Sequence, residues 1–307
     1  MSSPSNTSYS PAELAEQAHD WWTTEIIDIH PGEISIRGYA IEDLIGNVTF
    51  PEMIWLALRG ELPSSGEAGL LEAALTAAID HGPQAPSIAV ARMAVTCGSP
   101  LNGAMASAIN VLDDVHGGAG QQCMMLYQEI HHDMSAAGNN MDDDAQLAIV
   151  TSDVLNRWRV SDIKYIPGFG HRFHPVDPRA GRLLELVDRA VDAGVVAGEF
   201  AMIGRSVSQH LRNSQGTPIP MNIDGVTAVI YCELGFSPEL GRGIFILSRS
   251  VGILAHAWEQ MNQGGRIKGP MPPSLTYRYA GKPSRPLPDR ADAGSLPMRR
   301  VAHNHRR

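Results

Sequence analysis

Cysteine is scarce in this 307-residue chain: Cys97, Cys123 and Cys232 are odd in number, far apart and form no CxxC pair. That excludes a disulfide framework and a cysteine zinc site, and it is the usage of a reducing compartment, so the cytoplasm is the expected location. Positive charge is also short, with 24 Lys and Arg against 33 Asp and Glu and a net charge of -9. A polyanion-binding surface over the body of the protein is thereby excluded, and no nucleic-acid partner is expected. No stretch runs 18 apolar residues without a break, and the N-terminus MSSPSNTSYSPAELAEQ has neither a basic start nor an apolar core. Neither a membrane span nor a secretory leader is expected. There is no fixed-period repeat and no strand-helix alternation, which excludes a solenoid and a doubly wound sheet. GFG at 168–170 lacks the GK[ST] of a phosphate loop. No metal is expected either: His131-His132-Asp133, and Asp113-Asp114 beside His116, fit no closed ligand spacing, and Asp142-Asp143-Asp144 reads as a helix start, lacking the alternating ligands of a calcium loop.

What is present is apolar material, 43% of residues, enough to bury a large core. Residues 1–11 are rich in Ser, Pro and Asn and read as disordered, with Ser10-Pro11 set to open a helix over Ala12–Trp21. Period-two alternation over Glu33–Arg37, stopped by Gly38, predicts a short strand in a minor hairpin. Beyond it the period becomes helical: 50–58, 65–79, 86–96, 102–111, 121–134, 143–158, 179–193, 195–212, 225–234, 238–242 and 244–260. About a dozen helices, hence an all-α fold, is the expectation. From 281 the chain gains Pro and Arg and loses apolar periodicity, reading as a mobile basic tail. Trp21-Trp22, Trp55 and the methionines read as core or subunit packing.

Several titratable residues stand out because each lies in a glycine-bearing segment between helices: His81 in DHGPQAPS, His116 in VHGGA, His171 in PGFGHR and Asp224 in NIDGV. Functional side chains concentrate at such ends. A histidine at a helix start is kept neutral by the positive end of the dipole and can donate a hydrogen bond to a developing enolate, while an aspartate facing the same cavity can act as base.

The order RGYAIEDLI (37–45), LALRGELPS (56–64), DHGPQAPS (80–87), VHGGA (115–119), GFGHRFHPVDPRA (168–180), NIDGVTA (222–228) and LSRSVGILAH (247–256) resembles the citrate synthase superfamily over roughly residues 25–280. Within it, the DHGP spelling, the compact length, NIDG and RSVGILAHAWEQ most resemble citryl-CoA lyases, including the lyase module of ATP-citrate lyase. The resemblance implies making or breaking the carbon-carbon bond between the acetyl-CoA methyl group and the keto carbon of oxaloacetate. A coenzyme A thioester is then a substrate, and no permanently bound cofactor is implied.

By the same resemblance Asp224 matches the base at the methyl group, His116 the donor at the thioester oxygen, and His171 the donor at the keto oxygen. Enolising so weak a carbon acid needs both a base and a donor. Arg179, Arg249 and His81 match the residues that bind oxaloacetate, and Arg supplies the bidentate fork that carboxylates prefer. The backbone of Pro167, Gly168, Phe169 and Gly170 matches the segment that accepts the CoA adenine, with Arg172 toward the phosphates. One departure stands out: the family's arginine donated to the neighbouring subunit falls at Gly269, so Arg266 or Lys268 is expected to reach across a dimer interface.

The implied architecture is a large helical domain (12–170 and 225–280) and a smaller one (171–224), with the site in the cleft between them, in a homodimer or dimer of dimers. Two other readings accompany it: a small citrate or 2-methylcitrate synthase running the same chemistry toward condensation, and a non-catalytic CoA- or citrate-binding regulator.

Overall fold

A computed structural model describes residues 10–160, 165–170, 175–215 and 219–286. The expectations for most of the N-terminal segment, for the tail beyond 286, and for His171 and Arg172 lie outside the described residues. Residues through Lys268 form one compact unit and those from Gly269 form another. In the latter, Leu275 closes a turn on the Pro272 carbonyl at 2.9 Å, and 269–286 are exposed without regular structure.

Helix α1 (Pro11–Trp21) starts on a capping box in which Ser10 and Glu13 satisfy each other's backbone amides. The expected hairpin is a three-stranded antiparallel sheet in the order β1-β2-β3: β1 (Ile27–His30), β2 (Glu33–Ile36) and β3 (Tyr39–Ala40), with Ile27 opposite Ile36 and Ser35 opposite Ala40. After the one-turn α2 (Ile41–Leu44), the same capping device opens α3 (Phe50–Arg59) with Thr49 and Glu52, and α4 (Ser65–Ala78) with Ser64 and Glu67. Then follow α5 (Pro86–Thr96), α6 (Leu101–Ile109), α7 (Ala119–Ala136), α8 (Asp144–Val160), α9 (Pro178–Asp192), α10 (Glu199–Gln215), α11 (Ile223–Glu233) and α12 (Pro238–Gln263). The all-α expectation holds. Asp143 accepts hydrogen bonds from the Ala145 and Gln146 amides, so the acidic triplet is a helix start.

Helix ends shift by a few residues from the sequence pattern, and two of the differences have their cause in the fold. The pieces 238–242 and 244–260 are one helix, α12. A mid-helix glycine costs only about 1 kcal/mol relative to alanine, and burial of Ile244 in one apolar cluster and of Ile253 and Ala257 in the other outweighs it. Helix α10 starts at Glu199, past 195, because Gly194 and Gly198 adopt φ of 70° and 84°. The Glu233 carboxylate, brought from α11, accepts the amides of Gly198, Phe200 and Ala201. A cap supplied by another helix leaves no local signal in the sequence.

Packing falls into two apolar clusters. The larger is centred on α7, whose Cys123, Met124, Leu126, Tyr127, Ile130 and Met134 are buried, and on α11, buried from Gly225 through Cys232. A helix apolar all round belongs in a protein interior. The smaller, alanine-rich cluster joins α5, α6 and α12 through Ile88, Ala91, Ala104, Ala108, Ile253 and Ala257. Among the described residues no helix is long and apolar enough to cross a membrane.

Candidate active site

A cleft of about 830 Å³ is lined by His81–Pro86, Val115, His116, Gly170 and Asn222–Asp224. Its walls come from both clusters: Ala85 belongs to the smaller and Ile223 to the larger. Three of the six residues singled out for chemistry or carboxylate binding, His81, His116 and Asp224, therefore converge although they lie far apart in the chain.

His116 precedes α7 in the chain. The helix start that holds it is another: its Nε2 lies 3.2 Å from the backbone nitrogen of Ser87 and 3.0 Å from the Ser87 Oγ, in the first turn of α5. A backbone amide can only donate, so Nε2 carries the lone pair and a neutral ring holds its proton on Nδ1. Burial, and secondarily the Arg249 charge, lower the pKa of His116. The result is a neutral imidazole with one N–H to give.

Asp224 sits in the first turn of α11, capped by Asn222, whose Oδ1 accepts the amides of Asp224 and Gly225 at 2.9 and 3.2 Å. Burial raises its pKa; the charges of Arg249 and Arg179 oppose that, and Asp177 adds to it. A carboxylate desolvated in this way is a stronger base than one in water. Its Oδ1 lies 4.0 Å from where a side chain on Gly120 would begin, in the first turn of the helix that follows His116.

The PGFG and NIDG motifs meet directly. Gly168 O accepts the Asn222 amide at 3.0 Å, Gly170 N donates to Pro220 O at 2.8 Å, and Asn222 Nδ2 donates to Gly170 O at 2.6 Å. A Cβ on Gly225 would collide with the Gly168 carbonyl, and one on Gly168 with Cys123 Sγ and the Gly225 backbone. Only glycine permits this crossing. Of the four residues expected to present backbone to adenine, Pro167, Gly168 and Phe169 are buried, and Gly170 alone reaches the cleft.

The two arginines stand behind the cleft, contributing charge to it without lining it. Arg249 is buried, with Nε donating to Ala78 O at 3.1 Å and the guanidinium over the Phe245 ring. Arg179 faces a separate groove between α4 and α9, and its fork is engaged by Asp177 at 2.9 and 2.8 Å. Arg266 is exposed, and Lys268 Nζ donates to Gln260 Oε1 of its own chain at 3.2 Å.

Sequence reasoning did not single out Ser87, Asn222 or Asp177 as site residues. Asp177 caps α9 and also accepts the Ile223 amide at 3.0 Å, tying that helix to the start of α11 beside Asp224. Burial would push its carboxyl up, but hydrogen bonds from Arg179 and Ile223 hold it at about 2. Asn and Asp ahead of helical runs are readable as caps; what they touch is not. The acidic and histidine runs have ordinary partners: His131 pairs with Glu199, Asp133 with Arg157, and Asp113 and Asp114 with Arg242. Among the described residues no three His, Cys, Asp or Glu side chains are grouped to hold a metal ion.

A helical cleft that opposes a neutral imidazole and a desolvated carboxylate defines a class of acid/base enzyme site. The family described as citrate synthase, C-terminal domain, matches residues 64–271, and the chain belongs to that family. It is 29% identical to the citrate synthase of Haloferax volcanii over 213 residues, 69% of this chain and 51% of that protein. The chain thus spans about half the length of the curated relatives it matches. The citryl-CoA lyase of Hydrogenobacter thermophilus superposes with a TM-score of 0.74 at 32% identity, covering 87% of this chain and 97% of that one. The citrate synthase of Thermoplasma acidophilum, solved with carboxymethyl coenzyme A and oxaloacetate, shares the fold at a TM-score of 0.60 and 22% identity, over 78% and 59% of the two chains.

Proposed function

We propose that this protein makes or breaks the bond between the acetyl-CoA methyl carbon and the keto carbon of oxaloacetate, as a citryl-CoA lyase does. The observation that carries the reading is the placement of His116 and Asp224 on one cleft, each shifted toward its neutral form. In the condensation direction Asp224 takes a methyl proton while His116 Nδ1–H donates to the thioester oxygen, so the enol forms without a free enolate charge. His171, by its match to the family motif, protonates the keto oxygen as it becomes an alkoxide. In cleavage the roles reverse: the tertiary hydroxyl of citryl-CoA loses its proton toward His171, the bond breaks, and Asp224 returns a proton to the enol held by His116.

His81 at the cleft binds the dicarboxylate, which the charges of Arg249 and Arg179 behind the cleft attract. The segment 167–170 and Arg172 serve coenzyme A. The chain works in the cytoplasm as a homodimer or dimer of dimers, with Arg266 or Lys268 supplying the cation that Gly269 lacks, and the segment 171–224 closes over the substrate to exclude water. The match to the Hydrogenobacter enzyme, which covers 97% of that protein at 32% identity, favours the lyase. The citrate synthases among its relatives support a second reading, a synthase that also hydrolyses the thioester.

Supplying citryl-CoA, and separately acetyl-CoA with oxaloacetate, while following thioester and free coenzyme A separates these readings. Cleavage of citryl-CoA to acetyl-CoA supports the lyase, and release of free coenzyme A with citrate supports the synthase. Tight coenzyme A binding with no turnover of either would leave a regulator and sink both.

A further inference from the structure

We infer that His256 is a positioning residue for the dicarboxylate end of this cleft, acting through Asp80 on the loop that carries His81; the inference rests on the function proposed above. His256 lies on α12 two turns beyond Arg249, and its side chain is only 18% exposed. Its Nδ1 is 3.1 Å from Arg92 Nη1 on α5. A guanidinium can only donate, so Nδ1 accepts and Nε2 bears the hydrogen. That hydrogen is aimed at Asp80, whose Oδ1 and Oδ2 are 3.2 and 3.3 Å away. Arg92 is itself held by Glu259 and by Gln263 at 2.7 Å, so the ring is oriented from behind.

Asp80 turns this orientation into the shape of the cleft. Its Oδ2 also accepts the Gly82 amide at 3.2 Å, which fixes the chain on either side of His81. Burial would raise its pKa, yet hydrogen bonds from His256 and from the Gly82 and His81 amides lower it, and its charge is felt by Arg249. Gly252, between Arg249 and His256, allows the approach: a Cβ there would collide with the Ile79 carbonyl and come within 3.1 Å of Asp80 Oδ1. One carboxylate therefore joins His256 of α12 to the backbone around His81 and, through that loop, to the start of α5 where His116 is held. No local pattern in DHGP requires a histidine in another helix; the pairing exists only in the fold.

The test compares His256→Leu with His256→Gln in the full chain, since the Gln side-chain amide can place a donor near the imidazole Nε2. In His256→Leu the KM for oxaloacetate is expected to rise on the order of tenfold or more, as misplaced binding groups do. The KM for acetyl-CoA should stay within about threefold, and His256→Gln should recover most of the loss. An unchanged oxaloacetate KM in His256→Leu, an equal rise in both KM values, or no recovery in His256→Gln overturns the inference. If His256→Leu does not fold, Asp80→Asn must show the same split. If the wild-type protein turns over no substrate, the proposed function fails and the positioning is judged by hydrogen exchange. The amides of 81–86 should then exchange on the order of tenfold faster in His256→Leu and at the wild-type rate in His256→Gln, and wild-type exchange in His256→Leu overturns it.

Discussion

The two walls of the cleft use the same device, a helix N-terminus, in different senses. At α5 the first-turn amide of Ser87 donates to His116 and fixes the tautomer of its neutral ring. At α11 the N-terminus and two arginines favour the charged form of Asp224, yet burial outweighs them and its pKa rises. Both groups are therefore pushed toward neutrality, from below on one wall and from above on the other. Desolvation, more than any single partner, sets the protonation of these two groups. A helix dipole contributes roughly 0.3–1 kcal/mol at exposed sites and up to about 2 when partly buried, and removal from water exceeds that readily.

The largest effect is expected at the wall that carries Asp224. Asp224→Asn keeps the Asn222 cap and the volume of the side chain, and turnover should fall about 10²- to 10⁴-fold without loss of the helical circular dichroism. Unchanged turnover would remove Asp224 as the base. His116→Ala takes away the donor, with a loss on the order of 10²- to 10³-fold expected in kcat and a smaller change in KM. A loss confined to KM would mean that His116 only binds.

Stability tests the connection behind the walls. Asp177→Ala leaves Arg179 without its carboxylate and strips the Ile223 amide, which should destabilise the protein by about 3–5 kcal/mol in chemical denaturation. The pH dependence follows with a definite sign. Because the Asp177 carboxyl is depressed from 3.8 to about 2 in the folded state, its contribution is complete above pH 3.8 and is lost as pH falls toward 2. The stability gap between wild type and Asp177→Ala should narrow across that window, and parallel curves would refute the linkage. For activity, Asp224 must be ionised to act as base, so kcat/KM should fall on acidification through a limb above the ordinary aspartate value of 3.8, the direction in which burial shifts this group. A limb at or below 3.8 would contradict a desolvated Asp224. The smallest effect belongs to Ser87→Ala, which keeps the backbone amide and removes one hydrogen bond of about 1 kcal/mol, so turnover should fall less than tenfold.

Much of this was legible in the chain. Capping boxes at Ser10, Thr49 and Ser64 mark helix starts because their partners lie three residues away. His116 and Asp224 are visible because their motifs are short and contiguous. What escaped notice depends on distant partners: the start of α10 on Glu233, the continuity of α12 across Gly243, and Ser87 behind His116.

By itself, then, the sequence determined the helical class, the family and the candidates for proton transfer, since periodicity, capping and motif spelling are local properties. Tertiary structure alone decided that His81, His116 and Asp224 share one cavity while the arginines act from behind it. It also decided which imidazole nitrogen carries the proton and which way each pKa moves. Those outcomes depend on burial and on partners from other helices, and neither exists until the two clusters have packed.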